Sequence, residues 1–160
     1  SGACPNGDAW PSTVACRWCN TTRMTTPLWC LVGFVAWTLG LLSLIGIARI
    51  SKVVAGKAQP TDFPAGVPHG SDAYWRLNRA HLNCLENLPL FASVVLVATV
   101  AGLRSPTLDT LARVYLGARV GQSLAHLSSG GNLAVNVRFT FFLTQVACLV
   151  AFVWTIAHAG

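Results

Sequence analysis

The sequence predicts an all-α integral membrane protein, a bundle of four helices in one domain. Of its 160 residues, 53% are hydrophobic and only 10% are charged, a balance too apolar for a soluble domain of this size. Long apolar stretches alternate with short segments that contain glycine, proline and charged residues. The net charge of +6 comes without a basic cluster interleaved with aromatics, which argues against nucleic-acid binding.

The first 23 residues differ from the rest of the chain. They are polar and contain cysteines, and they lack the charged-then-apolar pattern of a signal peptide. Met24 is the only methionine, and the first apolar run begins a few residues after it. We therefore expect residues 1–23 to be a non-native or disordered extension and residues 24–160 to form the single membrane domain.

The first two predicted spans flank the longest loop. Residues 27–49 form an almost uncharged run that is long enough to cross a bilayer as a helix. The loop 53–73 is rich in glycine and proline, and Ser71 or Asp72 is placed to cap the next helix. The second span is predicted over residues 74–103.

The third and fourth spans follow two short turns. Ser105 and Pro106 fit a helix cap and a first helical residue, so the third span is predicted over 107–128, where it is the least apolar of the four. Two glycines end it, and the fourth span is predicted over 133–157.

Basic residues concentrate around the first loop, and this bias sets the expected orientation. We expect the 49–76 loop and the 128–138 turn to lie in the cytoplasm, with both termini outside. The alanine-rich, lysine-poor spans suggest a bacterial inner membrane.

The second span carries three polar side chains on one face. Arg79, Asn83 and Glu86 fall within roughly 60° of one another on a helix that turns about 100° per residue. Glu86 is the only glutamate of the chain. An ionisable group at membrane depth costs about 2–3 kcal/mol or more, so it usually faces a protein interior or a polar ligand. The group predicts a binding site, and the alternative is an ion pair within the helix that only locks neighbouring helices.

The third span repeats this pattern with Arg119, Gln122 and His126, which also fall within roughly 60°. Taken alone, Gln122 is typical of polar contacts between membrane helices, and His126 of a hydrogen-bonded core histidine. Arg49 and Arg138 are expected at the same membrane face, so that two polar helix faces and two further arginines converge.

One carboxylate cannot neutralise the arginines that converge here. The surplus positive charge suits a small ligand with several anionic groups, because guanidinium groups bind carboxylates in a bidentate manner. Glu86 would accept from an ammonium group. Several carboxylates and an amine describe a small peptide such as glutathione.

The stretch from Arg79 to Phe91 resembles the signature of the MAPEG family, the membrane-associated proteins in eicosanoid and glutathione metabolism. Residues 112–127 and 137–139 are similar to the family's third helix and to the start of its fourth, and the resemblance covers about residues 27–157. It implies a left-handed four-helix bundle, a homotrimer, and glutathione bound between subunits near the cytoplasmic side. Its implied activity is a glutathione transferase or peroxidase with a role in detoxification.

The resemblance also implies a role for individual residues. Arg138 matches the arginine that faces the glutathione sulfur, and it would be the catalytic residue because a nearby guanidinium favours the reactive thiolate. The alternative for Arg138 is an arginine that anchors its helix at the lipid headgroups. Gln122 and His126 stand where several members have tyrosines. The residues expected to bind glutathione are Arg49, Arg79, Asn83, Glu86, Arg119, Gln122 and His126.

Two classes of function remain open. The first is a membrane-embedded glutathione transferase or peroxidase that acts on a lipophilic substrate. The alternative is a non-catalytic membrane protein of the same fold, with structural ion pairs and weak or no glutathione binding. A transporter is disfavoured because no two spans share matched glycine or proline interruptions. The resemblance also argues against a specialised eicosanoid isomerase, because Phe139 stands where the family's prostaglandin-synthase member has a serine. No metal site is expected, since His81 and His126 lack partners at ligand spacing.

Overall fold

Four helices make up the protein in a computed structural model that describes residues 24–64, 67, 69–128 and 131–158. The predicted extension, residues 1–23, lies outside the described residues. A 3₁₀ turn, Pro60–Asp62, lies in the first loop. The helices are α1 (Thr26–Val54), α2 (Asp72–Val100), α3 (Pro106–Ser128) and α4 (Asn132–Ala157).

The predicted all-α class is confirmed, and the helix ends follow local chemistry. The Ser71 hydroxyl accepts from the Tyr74 backbone N–H at 3.3 Å, and the Ser105 hydroxyl accepts from that of Thr107 at 3.1 Å, so that both predicted caps form. α2 ends at Val100 rather than at 103, because Gly102 adopts a φ of 69° that stops the helix.

Three of the four helices are long and apolar enough to cross a membrane, namely α1, α2 and α4. α3 was predicted to be the least apolar span, and it is not apolar enough to count among these candidate membrane spans. The reason lies in its inward face, where Arg119, Gln122 and Ser123 are buried. α3 therefore brings the largest share of buried polar groups into the bundle.

An aromatic cluster fills the middle of the bundle. The Phe91 ring of α2 stacks on the Tyr115 ring of α3, with the centroids 4.2 Å apart. Phe34 of α1 and Phe152 of α4 contact the Phe91 ring at centroid distances of 6.2 and 6.1 Å. Because each helix contributes one ring, this cluster sets the depth at which the four helices meet.

The outer surface of the bundle is largely apolar. Large side chains such as Ile47, Val97, Val150 and Trp154 are more than half exposed. Exposing so much apolar surface to water would be energetically unfavourable. This pattern is the one expected of a protein whose solvent is lipid.

Candidate functional site

The polar residues of the bundle gather at one end. α1 and α3 end there, and α2 and α4 begin there, so that the first loop and the 128–131 turn lie on the same side. The chain order thus brings together residues that lie far apart in the sequence. Hydrogen bonds connect Asn83 of α2 with Arg119 and His126 of α3, and His126 with Arg138 of α4.

Arg119 lies at the inner end of this group. Its side chain is 0% exposed, and its Nη1 donates to Asn83 Oδ1 at 3.0 Å. The guanidinium carbon lies 5.7 Å from the centroid of the Phe34 ring, a distance compatible with a cation–π contact. Its Nε and Nη2 are buried without a hydrogen-bond partner. Within the described residues, no carboxylate pairs with this buried cation.

His126 joins Asn83 to Arg138. Its Nε2 lies 3.3 Å from Asn83 Nδ2, and its Nδ1 lies 3.2 Å from Arg138 Nη1. Arg138 is half-buried and also donates from Nε to the Ala134 carbonyl at 3.1 Å. Asn87, one turn further along α2, orients the Asn83 side chain, because its Nδ2 donates to Asn83 Oδ1 at 3.1 Å. Four of the predicted residues therefore form one continuous chain of polar contacts.

Gln122 belongs to a second polar group, next to the first. Its Nε2 donates to the Arg138 carbonyl at 3.1 Å, and its Oε1 accepts from Gln145 Nε2 at 3.1 Å. Both glutamines are buried. Gln122 thus ties α3 to α4 and donates to the backbone of Arg138, and among the described residues no hydrogen bond joins it to Asn83 or His126.

The structure does not bring Arg49, Arg79 or Glu86 into this chain. Arg49 donates from Nε to the Tyr74 hydroxyl at 2.6 Å, and its guanidinium carbon lies 5.5 Å from the Phe63 ring centroid. Arg79 and Glu86 are exposed, and neither forms a hydrogen bond or an ion pair within the described ranges. The alternative reading, an ion pair within α2 that locks neighbouring helices, is therefore not formed by Glu86 among the described residues.

Sequence reasoning missed Gln145, Asn87 and Tyr74, which hold the predicted residues in place. Gln145 follows Arg138 by seven residues, two helical turns, and therefore lies on the same face of α4. This spacing could have identified it. The contact between Arg49 and Tyr74 depends on how the first loop folds, and no helical spacing predicts it.

Chemically, the site is rich in hydrogen-bond donors and poor in acceptors. The chain of contacts ends in Arg119 on one side and in Arg138 on the other, and an arginine side chain can only donate hydrogen bonds. Within the described part of the chain, no group of three His, Cys, Asp or Glu residues could hold a metal ion. The arrangement suits an anionic ligand.

A family model described as the MAPEG family matches residues 27–158, which include every residue of the site and all four helices except Thr26, the first residue of α1. The comparison with curated protein sequences gives no match.

Proposed function

Because this chain belongs to the MAPEG family of membrane proteins, we propose that it is a membrane-embedded, glutathione-dependent transferase or peroxidase. The observation that carries the proposal is the chain of contacts Arg119–Asn83–His126–Arg138. It contains two arginines and no carboxylate. A buried cation without a counter-charge costs several kcal/mol, so a ligand that supplies the missing anion would bind with a strong driving force.

Glutathione fits this donor set as a substrate. It carries two carboxylates, which would meet the donors around Asn83 and Arg119, and an amine, for which Glu86 would be the acceptor. Its thiol has a pKa of about 8.5 in its free form, so only a few per cent is ionised at neutral pH. Arg138 would stand near the sulfur and stabilise the thiolate by its charge.

The reaction needs only a nucleophilic sulfur. In a transferase, the thiolate attacks an electrophilic carbon and expels a leaving group. In a peroxidase, it attacks an oxygen of a hydroperoxide and breaks the O–O bond, which gives the sulfenic acid of glutathione and, after proton uptake, an alcohol. The thiol of a second glutathione then attacks the sulfenic sulfur, which forms the disulfide and expels water. Phe139 and Phe142, next to Arg138 along α4, are exposed. In a bilayer they would face lipid, from which a lipophilic substrate would approach.

A homotrimer would account for the charges on the outside of α2. Arg79 and Glu86 are exposed on a helix that is apolar enough to span a membrane, and isolated charges facing hydrocarbon are costly. A neighbouring subunit packed on this face would shield them. It would also bring them against a ligand bound between subunits, and this is how Glu86 and Arg79 would join the site.

The distribution of basic residues supports the orientation that we propose. Arg49, Lys52 and Lys57 lie at the same end of the bundle as the polar chain. By the positive-inside rule, this end would face the cytoplasm of a bacterium, and both termini would lie outside.

The proposal is tested by the ultraviolet absorption of the thiolate in detergent-purified protein with glutathione, titrated from pH 5 to 9. We expect the thiolate band to appear well below the pH at which free glutathione titrates. Arg138→Ala should abolish this shift, whereas Arg138→Lys should keep part of it. Arg113→Ala is the matched control, because Arg113 is an exposed arginine outside the polar chain, and it should leave the band unchanged.

One observation favours the second candidate, a non-catalytic protein of the same fold. Arg138 Nε and Nη1 already have acceptors, the Ala134 carbonyl and His126, as an arginine that merely anchors α4 would have. In that case glutathione would titrate normally or fail to bind, and Arg138→Ala would lower the melting temperature alone.

A further inference from the structure

α4 packs chiefly against α3, so its position on α3 decides where Arg138 lies. The ring of Phe141 lies directly against Gly121, where an added Cβ would be 2.6 Å from the ring. A glycine at this point lets the two helices approach closely. Next to this contact along the two helices, two buried glutamines meet: Gln122 of α3 is 3% exposed, and Gln145 of α4 is 1% exposed.

The hydrogen bonds of these glutamines fix the direction of both amides. Gln145 Nε2 donates to the Phe141 carbonyl of its own helix at 3.0 Å and to Gln122 Oε1 at 3.1 Å. Reversing the Gln145 amide would place its oxygen against both of these acceptor oxygens. The nitrogen of Gln122 therefore faces away from Gln145, and it donates to the Arg138 carbonyl at 3.1 Å. In this way Gln145 determines which end of the Gln122 amide meets Arg138.

The glutamine pair is poorly explained as a contact that only stabilises the bundle. Gln145 Oε1 is buried without a hydrogen-bond partner among the described residues, and a buried unpaired acceptor destabilises the folded state. Leucine at both positions would fill the space between the helices without this penalty. Leucine would not fix a direction, however, because apolar contacts are non-directional and tolerate small shifts between packed elements. The amides therefore contribute a defined position.

α3 holds Arg138 at two points, its backbone and its guanidinium. Gln122 donates to the backbone carbonyl, and His126, one turn further along α3, lies with its Nδ1 3.2 Å from Arg138 Nη1. The first contact fixes the place at which α4 presents this residue. The second contact forms only if the guanidinium reaches His126 from that place.

We infer that Gln145 is a positioning residue for Arg138. Through Gln122 it sets the register of α4 on α3, and with it the place of the guanidinium. The effect of Arg138 on a glutathione sulfur rests on the proposed function, whereas the placement of Arg138 rests on these hydrogen bonds alone.

Gln145→Leu tests the inference, because it removes the directed contact and keeps most of the side-chain volume. For two charges about 4 Å apart at an effective dielectric of about 20, a separation larger by about 1 Å weakens the attraction by the equivalent of ~0.6 pH units. With glutathione bound, the thiolate band of Gln145→Leu should therefore move by ~0.5 pH units or more towards that of free glutathione. The melting temperature should stay within about 4 °C of the wild type, because one unpaired acceptor, Gln145 Oε1, is exchanged for another, Gln122 Oε1.

Two further variants separate position from stability. Gln122→Leu/Gln145→Leu leaves neither amide unpaired, so it should melt at or above the temperature of the wild type. Its thiolate band should nevertheless move at least as far as that of Gln145→Leu. Thr144→Val is the matched control on α4: the Thr144 hydroxyl donates to the Thr140 carbonyl of its own helix at 3.0 Å, and its removal should leave the band unchanged.

The placement of Arg138 is also measurable without glutathione. Phenylglyoxal modifies arginine side chains, and mass spectrometry of the peptide that contains Arg138 gives the rate at this residue. We expect the rate to rise at least ~3-fold in Gln145→Leu, because the start of α4 then opens more often. In Thr144→Val the rate should equal that of the wild type.

The outcomes separate the two proposals. If the thiolate band and the modification rate of Gln145→Leu both stay as in the wild type, whatever its melting temperature, the glutamines only join the helices and the inference is wrong. If the modification rate rises as expected but the wild-type protein leaves the titration of glutathione unchanged, Gln145 still places Arg138 and the proposed function is wrong.

Discussion

Replacing Arg119 with methionine separates a binding residue from a structural one. Arg119 is fully buried in α3, and it is bonded to Asn83 through one of its three guanidinium nitrogens. Methionine has a similar length, it is a good helix former and it carries no charge. The substitution therefore removes the cation while it keeps most of the packing against Phe34 and Tyr115.

The expected change in the free energy of unfolding follows from three contributions. The variant loses a charge-assisted hydrogen bond to Asn83, about 1.5–3 kcal/mol, and a cation–π contact with Phe34, about 0.5–2 kcal/mol. It is relieved of two buried nitrogens without partners, at about 1–3 kcal/mol each. These contributions nearly cancel. In addition, methionine removes the desolvation cost of the buried charge, which favours the variant. We expect Arg119→Met to change stability by less than about 2 kcal/mol. For comparison, removing one partner of a satisfied buried ion pair costs about 3–5 kcal/mol, which is the loss expected if Arg119 had such a structural role.

The assay is thermal unfolding in detergent together with glutathione titration. With about 2–4 °C per kcal/mol for a chain of this size, Arg119→Met should melt within about 8 °C of the wild type or above it. Its affinity for glutathione should fall at least ~10-fold, because the ligand loses a buried cation. Arg113→Met, at an exposed position of the same helix, should change neither property. A melting temperature more than ~12 °C lower with normal affinity would refute the reasoning, because Arg119 would then be a structural residue.

Two further substitutions test the outer face of α2 and the packing of α3 on α4. Glu86→Gln should weaken glutathione binding without lowering the melting temperature, as measured by calorimetric titration and thermal unfolding, because Glu86 is exposed and forms no hydrogen bond or ion pair within the described part of the subunit. Unchanged affinity with a lower melting temperature would instead indicate a structural ion pair. Gly121→Ala should destabilise the protein by about 1–3 kcal/mol, since an added Cβ would lie 2.6 Å from the Phe141 ring. Gly117→Ala is its control, with nothing within 4 Å, and it should be neutral or stabilise the helix by about 0.5–1 kcal/mol. Equal melting temperatures for the two alanine variants would mean that α3 and α4 pack less closely than described.

The helices were predictable because their signals are local. Uninterrupted apolar runs predict membrane-length helices, and the caps at Ser71 and Ser105 depend on residues within one turn. The end of α1 was less predictable. α1 continues to Val54 instead of ending at 49, because the basic residues that close the apolar run are themselves good helix formers.

The site was predictable only in part, because helical spacing relates residues to one another and not to the core. Arg79, Asn83 and Glu86 share one face of α2 within roughly 60°, yet only Asn83 lies at the edge that contacts α3. The other two are exposed. The direction of the core is set by Cys84 and Phe91, which are 0% exposed. Which of the polar residues turns inward therefore follows from packing between helices.

Two polar groups lie side by side in this bundle, and their hydrogen bonds distinguish a structural role from a ligand-binding one. Gln122 has both ends of its amide engaged, by the Arg138 carbonyl and by Gln145, and its group is uncharged. This uncharged pair holds α3 against α4, although the Oε1 of Gln145 is also buried without a hydrogen-bond partner. The group around Arg119 is cationic and has a surplus of donors, and its most deeply buried member is its least satisfied. Contacts that served only to join helices would stabilise the bundle more with a leucine at that position. The energetic cost at Arg119 is therefore the strongest argument that this end of the bundle is built to receive an anion.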